Sequence, residues 1–293
     1  MDSATSYLGV DLGGTQLRMA AVGADGGLVS DVISTPTGRA FGPSDLQQAL
    51  VDLQARLGTQ NGRRAAALGF GTAGVVVEGR PLTQSENLPL LNGTDVASLV
   101  RDVAGVPVRL ENDARCFTLA EARFGAGRGA RDVCGITLGT GVGCGVMVDG
   151  RLQRGANFQA GEVWRIPMRG HHLEHFVSGA GIVRAFFDAG GLGRADLDAA
   201  GTVEKARAGD RAALAAWQVF SEDLAFLCET VISLLDPSVI VIGGSLSQAG
   251  DLYRPLLDER LRAHPATRIE ASALGPAAGV IGAAALNIPA GSD

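Results

Sequence analysis

The strongest constraint in this chain is a segment that occurs twice. Residues 8–26 read LGVDLGGTQLRMAAVGADG, and residues 134–150 read CGITLGTGVGCGVMVDG. Each copy runs from a strand through a Leu-Gly pair and a glycine-threonine turn into a returning strand, then an Asp-Gly turn. Short β-rich runs around a tight turn predict a hairpin. A second copy in the other half of the chain predicts two related halves facing each other. In that alignment Asp11 falls opposite Thr137.

A length of 293 residues fits two domains at roughly 150 residues each. With 46% hydrophobic and 19% charged residues, the chain can build real cores, which excludes disorder as its main state. A net charge of −6 without a basic run argues against a nucleic-acid surface or an anionic membrane as partner. No apolar run approaches the ~20 residues of a membrane span. The cysteines, Cys116, Cys134, Cys144 and Cys228, have no CxxC spacing, so a reducing cytoplasm is expected. Met1–Tyr7 lacks the basic and apolar regions of a secretory signal.

Between the two copies the pattern alternates strand and helix. A strand is expected over Leu28–Ile33. Ser44, with Gln47 three residues on, predicts a capped helix to about Leu57. Its apolar stripe is Leu46, Ala49, Leu50, Leu53 and Leu57. A strand over Ala65–Phe70 ends in Gly71-Thr72-Ala73-Gly74. A helix near Asp95–Val103 precedes a strand over Val106–Leu110, then Glu111-Asn112-Asp113 and a helix from Ala114. Past Gly150 the chain reads as irregular until a helix near Ile182–Phe187. Asp210–Leu235 reads as one long amphipathic helix or two abutting ones. Leu214, Trp217, Phe220, Leu224, Leu227, Val231 and Leu234 form its expected core stripe. A strand over Ser238–Ile242 runs into Gly243-Gly244-Ser245, and Gly275–Asn287 reads as a small-residue helix.

Three glycine turns therefore follow strands, at Gly13-Gly14-Thr15, Gly139–Gly143 and Gly243-Gly244-Ser245. Such turns expose backbone amides and admit phosphate oxygens without a Cβ clash. No Walker A sequence is present, and the single lysine, Lys205, lies far from all three turns. A strand-GxGxxG-helix fingerprint is also missing. Asp11, before the first turn, can hold a hydrated Mg²⁺ against phosphates or simply cap the turn. Asn112-Asp113 has two even readings. As a site, the aspartate accepts a proton from a hydroxyl while the asparagine orients it. As structure, the pair caps a helix.

DLGGT at Asp11–Thr15, GTAG at Gly71–Gly74, ENDA at Glu111–Ala114, LGTGVGCG at Leu138–Gly145, AGE at Ala160–Glu162 and IGGS at Ile242–Ser245 occur in one order. From about residue 7 to 287 the chain resembles the ROK family of repressors, open reading frames and sugar kinases. That family lies within the actin/hexokinase-like superfamily. The resemblance implies an α/β fold of two ribonuclease H-like domains with a cleft between them. The smaller domain is expected over residues 1–115, completed by a C-terminal helix in 276–293, and the larger over 116–275.

It also implies ATP-dependent phosphorylation of a hexose hydroxyl, glucose first. N-acetylmannosamine, N-acetylglucosamine, fructose and allose are alternative acceptors. Gly13, Gly14, Thr15, Thr140 and Gly141 are implied to cradle ATP phosphates, with Mg²⁺ held by Asp11 through water. Gly243 and Gly244 would border adenosine. Asp113 is the implied catalytic base. Asn112, Glu162 and Glu174 would hold the sugar, together with backbone at Gly71 and Gly74, and Asn87. A homodimer or homotetramer is implied as well.

Three departures stand out. Arg165 replaces the histidine that in the family contacts the sugar and helps hold zinc, so Arg165 is placed at the sugar as a fixed fork of donors. The family's cysteine-rich zinc loop is missing, so no structural zinc is expected. His171, His172 and His175 are read as packed or solvated rather than as substitute ligands. Gln16 stands where many relatives carry lysine. The rival class is a non-catalytic sugar-binding regulator. Family repressors carry a helix-turn-helix ahead of the kinase-like part, whereas here the phosphate strand starts at Tyr7. Asp113 is also present, so the kinase reading leads.

Overall fold

The computed structural model describes residues 5–61, 65–77, 79–193 and 196–289. The ends of the expected first domain segment and of the C-terminal segment, residues 1–4 and 290–293, lie outside them. The first half contains strands β1 (Ser6–Leu12), β2 (Gln16–Gly23), β3 (Ile33–Pro36), β4 (Ala65–Thr72) and β5 (Val108–Asn112), with helices α1 (Pro43–Asn61), α2 (Val96–Ala104) and α3 (Asp113–Phe124). The second half holds β6 (Val133–Leu138), β7 (Val142–Val148), β8 (Arg151–Leu152) and a small ladder of β9 (Pro167–Met168) with β10 (His171–His172). It continues with α4 (Gly179–Asp188), α5 (Ala199–Arg207), α6 (Arg211–Leu235), β11 (Val239–Gly243), α7 (Gly250–Arg260), β12 (Arg268–Ala271) and α8 (Ala278–Ala285).

The duplication is visible in the sheets. One has the order β3-β2-β1-β4-β5 and the other β8-β7-β6-β11-β12. In each, the first three strands in chain order run antiparallel and the last two join in parallel. The registers agree to the residue. Asp11 pairs with Gly71 across β1 and β4, and Thr137 pairs with Gly243 across β6 and β11. These are the two ribonuclease H-like halves of the expected α/β architecture.

Each sheet buries one face under its own helices. Leu17, Met19, Leu68 and Phe70 pack with Leu46, Leu50 and Leu53 of α1 and Val100 of α2. Ile136, Ile240 and Ile242 pack with Phe186 of α4, Trp217, Phe220 and Leu224 of α6, and Leu257 of α7. A third cluster fills the space between the sheets. It joins Ala20 and Val22 of β2 to Val239 and Val241 of β11 through Phe117 and Ala120 of α3 and Val280, Ile281 and Ala284 of α8.

Helix α8 lies almost directly on the first sheet. A Cβ at Gly9 would sit 1.8 Å from the Val280 carbonyl oxygen, and one at Gly69 would sit 1.7 Å from that of Ala283. Its other side meets α3 just as closely: a Cβ at Gly282 would fall 1.8 Å from the Cys116 carbonyl oxygen.

Several local expectations shift. Helix α1 begins at Pro43, so Ser44 lies inside the first turn, and the Asp45 carboxylate accepts the Gly42 amide at 2.8 Å. Leu28 makes only an isolated bridge to Val22, and the third strand starts at Ile33. The Ser30 hydroxyl accepts the Ala21 amide at 2.8 Å, taking the bond a ladder would have used. Residues 211–235 form a single helix, but Leu214 and Leu234 at its two ends are 45% and 76% exposed and leave the stripe. Helices α5 and α7 had no counterpart in the pattern.

Gly9→Ala and Gly69→Ala are each expected to destabilise the chain by about 1–3 kcal/mol, because the helix must lift off the sheet. Urea denaturation reads this, and an unchanged midpoint in both variants would contradict the packing.

Candidate active site

Both hairpin turns open onto one cleft of about 460 Å³. From the first sheet it is lined by Gly14, Thr15, Gly74, Asn87, Asn112 and Asp113, and from the second by Thr137, Thr140, Gly141, Glu162, Glu174 and Gly244. The amides of Gly14, Thr15, Thr140 and Gly141 have no acceptor among the described residues. Gly13 differs, since its amide closes the turn onto the Gln16 carbonyl at 2.9 Å. Gly13, Gly243 and Asp11 lie beside the cleft without lining it.

The junction of β5 and α3 resolves the two readings of Asn112-Asp113: the cap and the cleft positions coexist. Asn112 caps α3 by accepting the Arg115 amide at 3.2 Å, and its Nδ2 donates to the Gly74 carbonyl at 3.2 Å. Asp113, the first helical residue, accepts the Ala114 amide on Oδ1 at 2.8 Å. That leaves Oδ2 as the oxygen able to take a proton. Burial raises the Asp113 pKa, the Ala114 amide opposes the rise, and the charge of Glu162 adds to it.

The other carboxylates are tethered in the same way. Glu162 accepts the Trp164 indole N–H on Oε2, and Glu174 accepts the Val142 amide on Oε2 at 3.0 Å. Burial also raises the Glu174 pKa. One oxygen of each side chain fixes its orientation while the other remains for a ligand.

Asp11 stands at the end of β1 opposite Arg18 of β2. Burial first, then the charge of Asp113, raises its pKa to about 6, and Arg18 pulls the other way. Two carboxylates that repel each other in a desolvated place suit a cation between them. Among the described residues no group of three or more His, Cys, Asp or Glu side chains gathers to hold a metal. A cation here would keep water and phosphate oxygens as ligands, which is how Mg²⁺ is usually bound.

Two expected sugar contacts sit elsewhere. Gly71 is buried inside β4 against Cys116 and does not line the cleft. Arg165 is exposed and also outside it, bonded to Gln84 and Gln159 at 3.4 Å each. Its neighbour Trp164 takes the place in the cleft. The short helical turn at Val163–Arg165 sends adjacent side chains in different directions, which a residue-for-residue substitution does not reveal. Arg39, Gln84 and Glu86 line the cleft as well and carried no motif signal. His171 and His175 stack on each other at 4.0 Å.

A second, more apolar recess of about 900 Å³ adjoins the cleft and shares Gly139 and Thr140 with it. Val183 and Phe187 of α4, Val203 of α5, Leu197, and Leu246 and Ala249 after β11 form its walls.

Arg115, one turn into α3, is 1% exposed. It pairs with Glu111 at 3.1 Å and donates to the Phe158 carbonyl at 2.7 Å and the Ala160 carbonyl at 3.1 Å. This clamps the loop leading to Glu162 onto the helix that begins with Asp113. Glu111 also pairs with Arg154 and accepts the Asn112 amide at 3.0 Å.

The sequence profile described as the ROK family matches residues 7–289. The chain belongs to the ROK family. Among ROK relatives, an N-acetylgalactosamine kinase of Shewanella sp. (strain ANA-3) is 32% identical over 302 residues, covering 96% of both chains. A glucokinase of Streptomyces coelicolor is 29% identical over 313 residues, covering 95% of this chain and 96% of its own. Among solved structures, a ROK family glucokinase from Streptomyces griseus in complex with glucose and AMPPNP superposes with a TM-score of 0.83 at 27% identity, over 96% of this chain and 98% of that one.

Two outcomes test this geometry. The raised pKa of Asp11 means that its charge opposes folding above about pH 6 and not below the ordinary 3.8. Asp11→Asn is therefore expected to gain about 1–3 kcal/mol near pH 8, a gain that shrinks as pH falls toward 4. Urea midpoints at the two pH values check it, and a loss at pH 8 would contradict the burial argument. Arg115→Met leaves the buried Glu111 with Arg154 as its one cationic partner, frees the Phe158 and Ala160 carbonyls, and is expected to cost roughly 2–4 kcal/mol. A double variant with Glu111→Gln should recover part of that loss. No recovery would separate the two residues.

Proposed function

We propose that this ROK member is an ATP-dependent hexose kinase that converts glucose to glucose 6-phosphate. The observation that carries the reading is the Asp113 carboxylate, its Oδ2 untied by the Ala114 amide, in a cleft between two amide-bearing glycine turns. An acid that accepts a proton beside a phosphate cradle suits transfer to an alcohol.

Asn112 still has one carbonyl lone pair for a sugar hydroxyl. Glu162 and Glu174 accept further hydroxyls, and Trp164 walls the sugar. The amides of Gly14, Thr15, Thr140 and Gly141 take the phosphates, and the apolar recess beyond Gly139 takes adenosine. The sugar oxygen bonds to the γ-phosphorus as the bond to the β-phosphate bridge breaks. The hydroxyl proton passes to Asp113 Oδ2, and ADP leaves. Mg²⁺, held by Asp11 through water, would supply charge neutralisation for the phosphates when bound. Closure over the ligands would exclude water.

The 32% identical N-acetylgalactosamine kinase favours a second reading, in which the acceptor is an N-acetylated hexosamine. A sugar panel with MgATP, followed by ADP release, separates the two. The highest kcat/KM is expected with glucose. A preference for an N-acetylated hexosamine would replace the acceptor and leave the chemistry intact.

Asp113→Asn should lower kcat by roughly 10²–10⁴ while leaving the urea midpoint near or above that of the native chain. Near-normal turnover would remove Asp113 from the role of base. Sugar binding with neither ATP hydrolysis nor transfer to any sugar on the panel would favour the regulator reading.

A further inference from the structure

Beside the edge strand β5 lies a recess of about 580 Å³ that shares no lining residue with the catalytic cleft. Four arginines reach it from separate segments: Arg80, Arg101 of α2, Arg109 of β5 and Arg154 from the other half of the chain. None of its lining residues, among the described ones, is acidic. Arg154 spends Nε on Glu111 and Arg109 spends Nη1 on the Leu286 carbonyl, so both keep donors in hand. The side chains of Arg80 and Arg101 make no hydrogen bond or ion pair with a described residue. Asp95 feels the charge of Arg101, but its carboxylate is bonded to Ser98 at the cap of α2.

Four guanidinium groups face one recess, and among the described residues only Arg154 has a carboxylate partner, Glu111. An anion in this space would meet guanidinium groups from four separate segments. Guanidinium forks match phosphate oxygens in pairs and hold them with charge-assisted bonds. The remaining wall is apolar, made by Val76, Leu82, Val108, Phe158 and Leu286. A phosphate with a compact organic body satisfies both surfaces.

We propose that this recess is a second ligand site, which binds the phosphate group of a small phosphate-bearing molecule between Arg80, Arg101, Arg109 and Arg154. The site does not depend on the kinase reading, because it uses none of the cleft residues. Arg154 joins it to the Glu111–Arg115 clamp.

Isothermal titration of the full chain with glucose 6-phosphate, and separately with inorganic phosphate, tests the proposal at fixed ionic strength. The key variant is Arg80→Ala/Arg101→Ala, whose two side chains are exposed and bonded to no described residue. Saturable glucose 6-phosphate binding is expected in the native chain and about tenfold or more weaker in the variant. The variant's turnover without added anion should be unchanged. Equal affinity for both ligands would identify free phosphate as sufficient. Tighter binding of glucose 6-phosphate would show that the apolar wall is used. Anion bound in the catalytic cleft would be indifferent to the two substitutions. Absence of saturable binding, or the same affinity in variant and native chain, would overturn the proposal.

Discussion

Two helices meet backbone to backbone between the sheets, and the site depends on that contact. Helix α8 rests on the first sheet at Gly9 and Gly69, α3 rests on the second through Phe117, and Gly282 lets the two approach. A side chain at any of these glycines would push the layers apart. The first residue of α3 is Asp113. Moving the helix pair would therefore move the carboxylate relative to both glycine turns. The third apolar cluster is thus both the joint between the halves and the support of Asp113.

Charge is handled differently at the joint and in the cleft. Glu111 and Arg115 are each 1% exposed and satisfy one another together with backbone groups. A buried pair of this kind is retained for the geometry it enforces, since its desolvation offsets most of its attraction. In and beside the cleft, Asp113, Glu174 and Asp11 are half-buried, and desolvation raises their pKa values. Raised carboxylates in a cleft are a mark of function. The fold spends stability there that the clamp and the cores must offset.

The sequence repeat was legible because strand pairing preserves register: Asp11 and Thr137, opposite one another in the repeat, occupy matched positions in the two sheets. The Asn112-Asp113 junction was also legible, and its two readings proved compatible. A cap needs one oxygen of the asparagine, which leaves the aspartate to the cleft. What pattern could not show was direction. Arg165 and Trp164 are adjacent in an irregular loop, and only the turn decides which of them enters the cleft. Ser30 replaced a ladder bond with a side-chain one and displaced the third strand. Helix α7 carries an interior Pro255 that reads as a breaker. The arginine recess draws on segments far apart in the chain, so no local motif announces it.

The central claim is that Asp113 receives the proton of the acceptor hydroxyl. A crystal structure of the native chain with a hexose and a non-hydrolysable ATP analogue tests this most directly. The account predicts the Asp113 Oδ2 atom within hydrogen-bond reach, ~2.6–3.2 Å, of the hydroxyl nearest the γ-phosphate. A carboxylate turned away from the sugar, with another side chain at that hydroxyl, would contradict it.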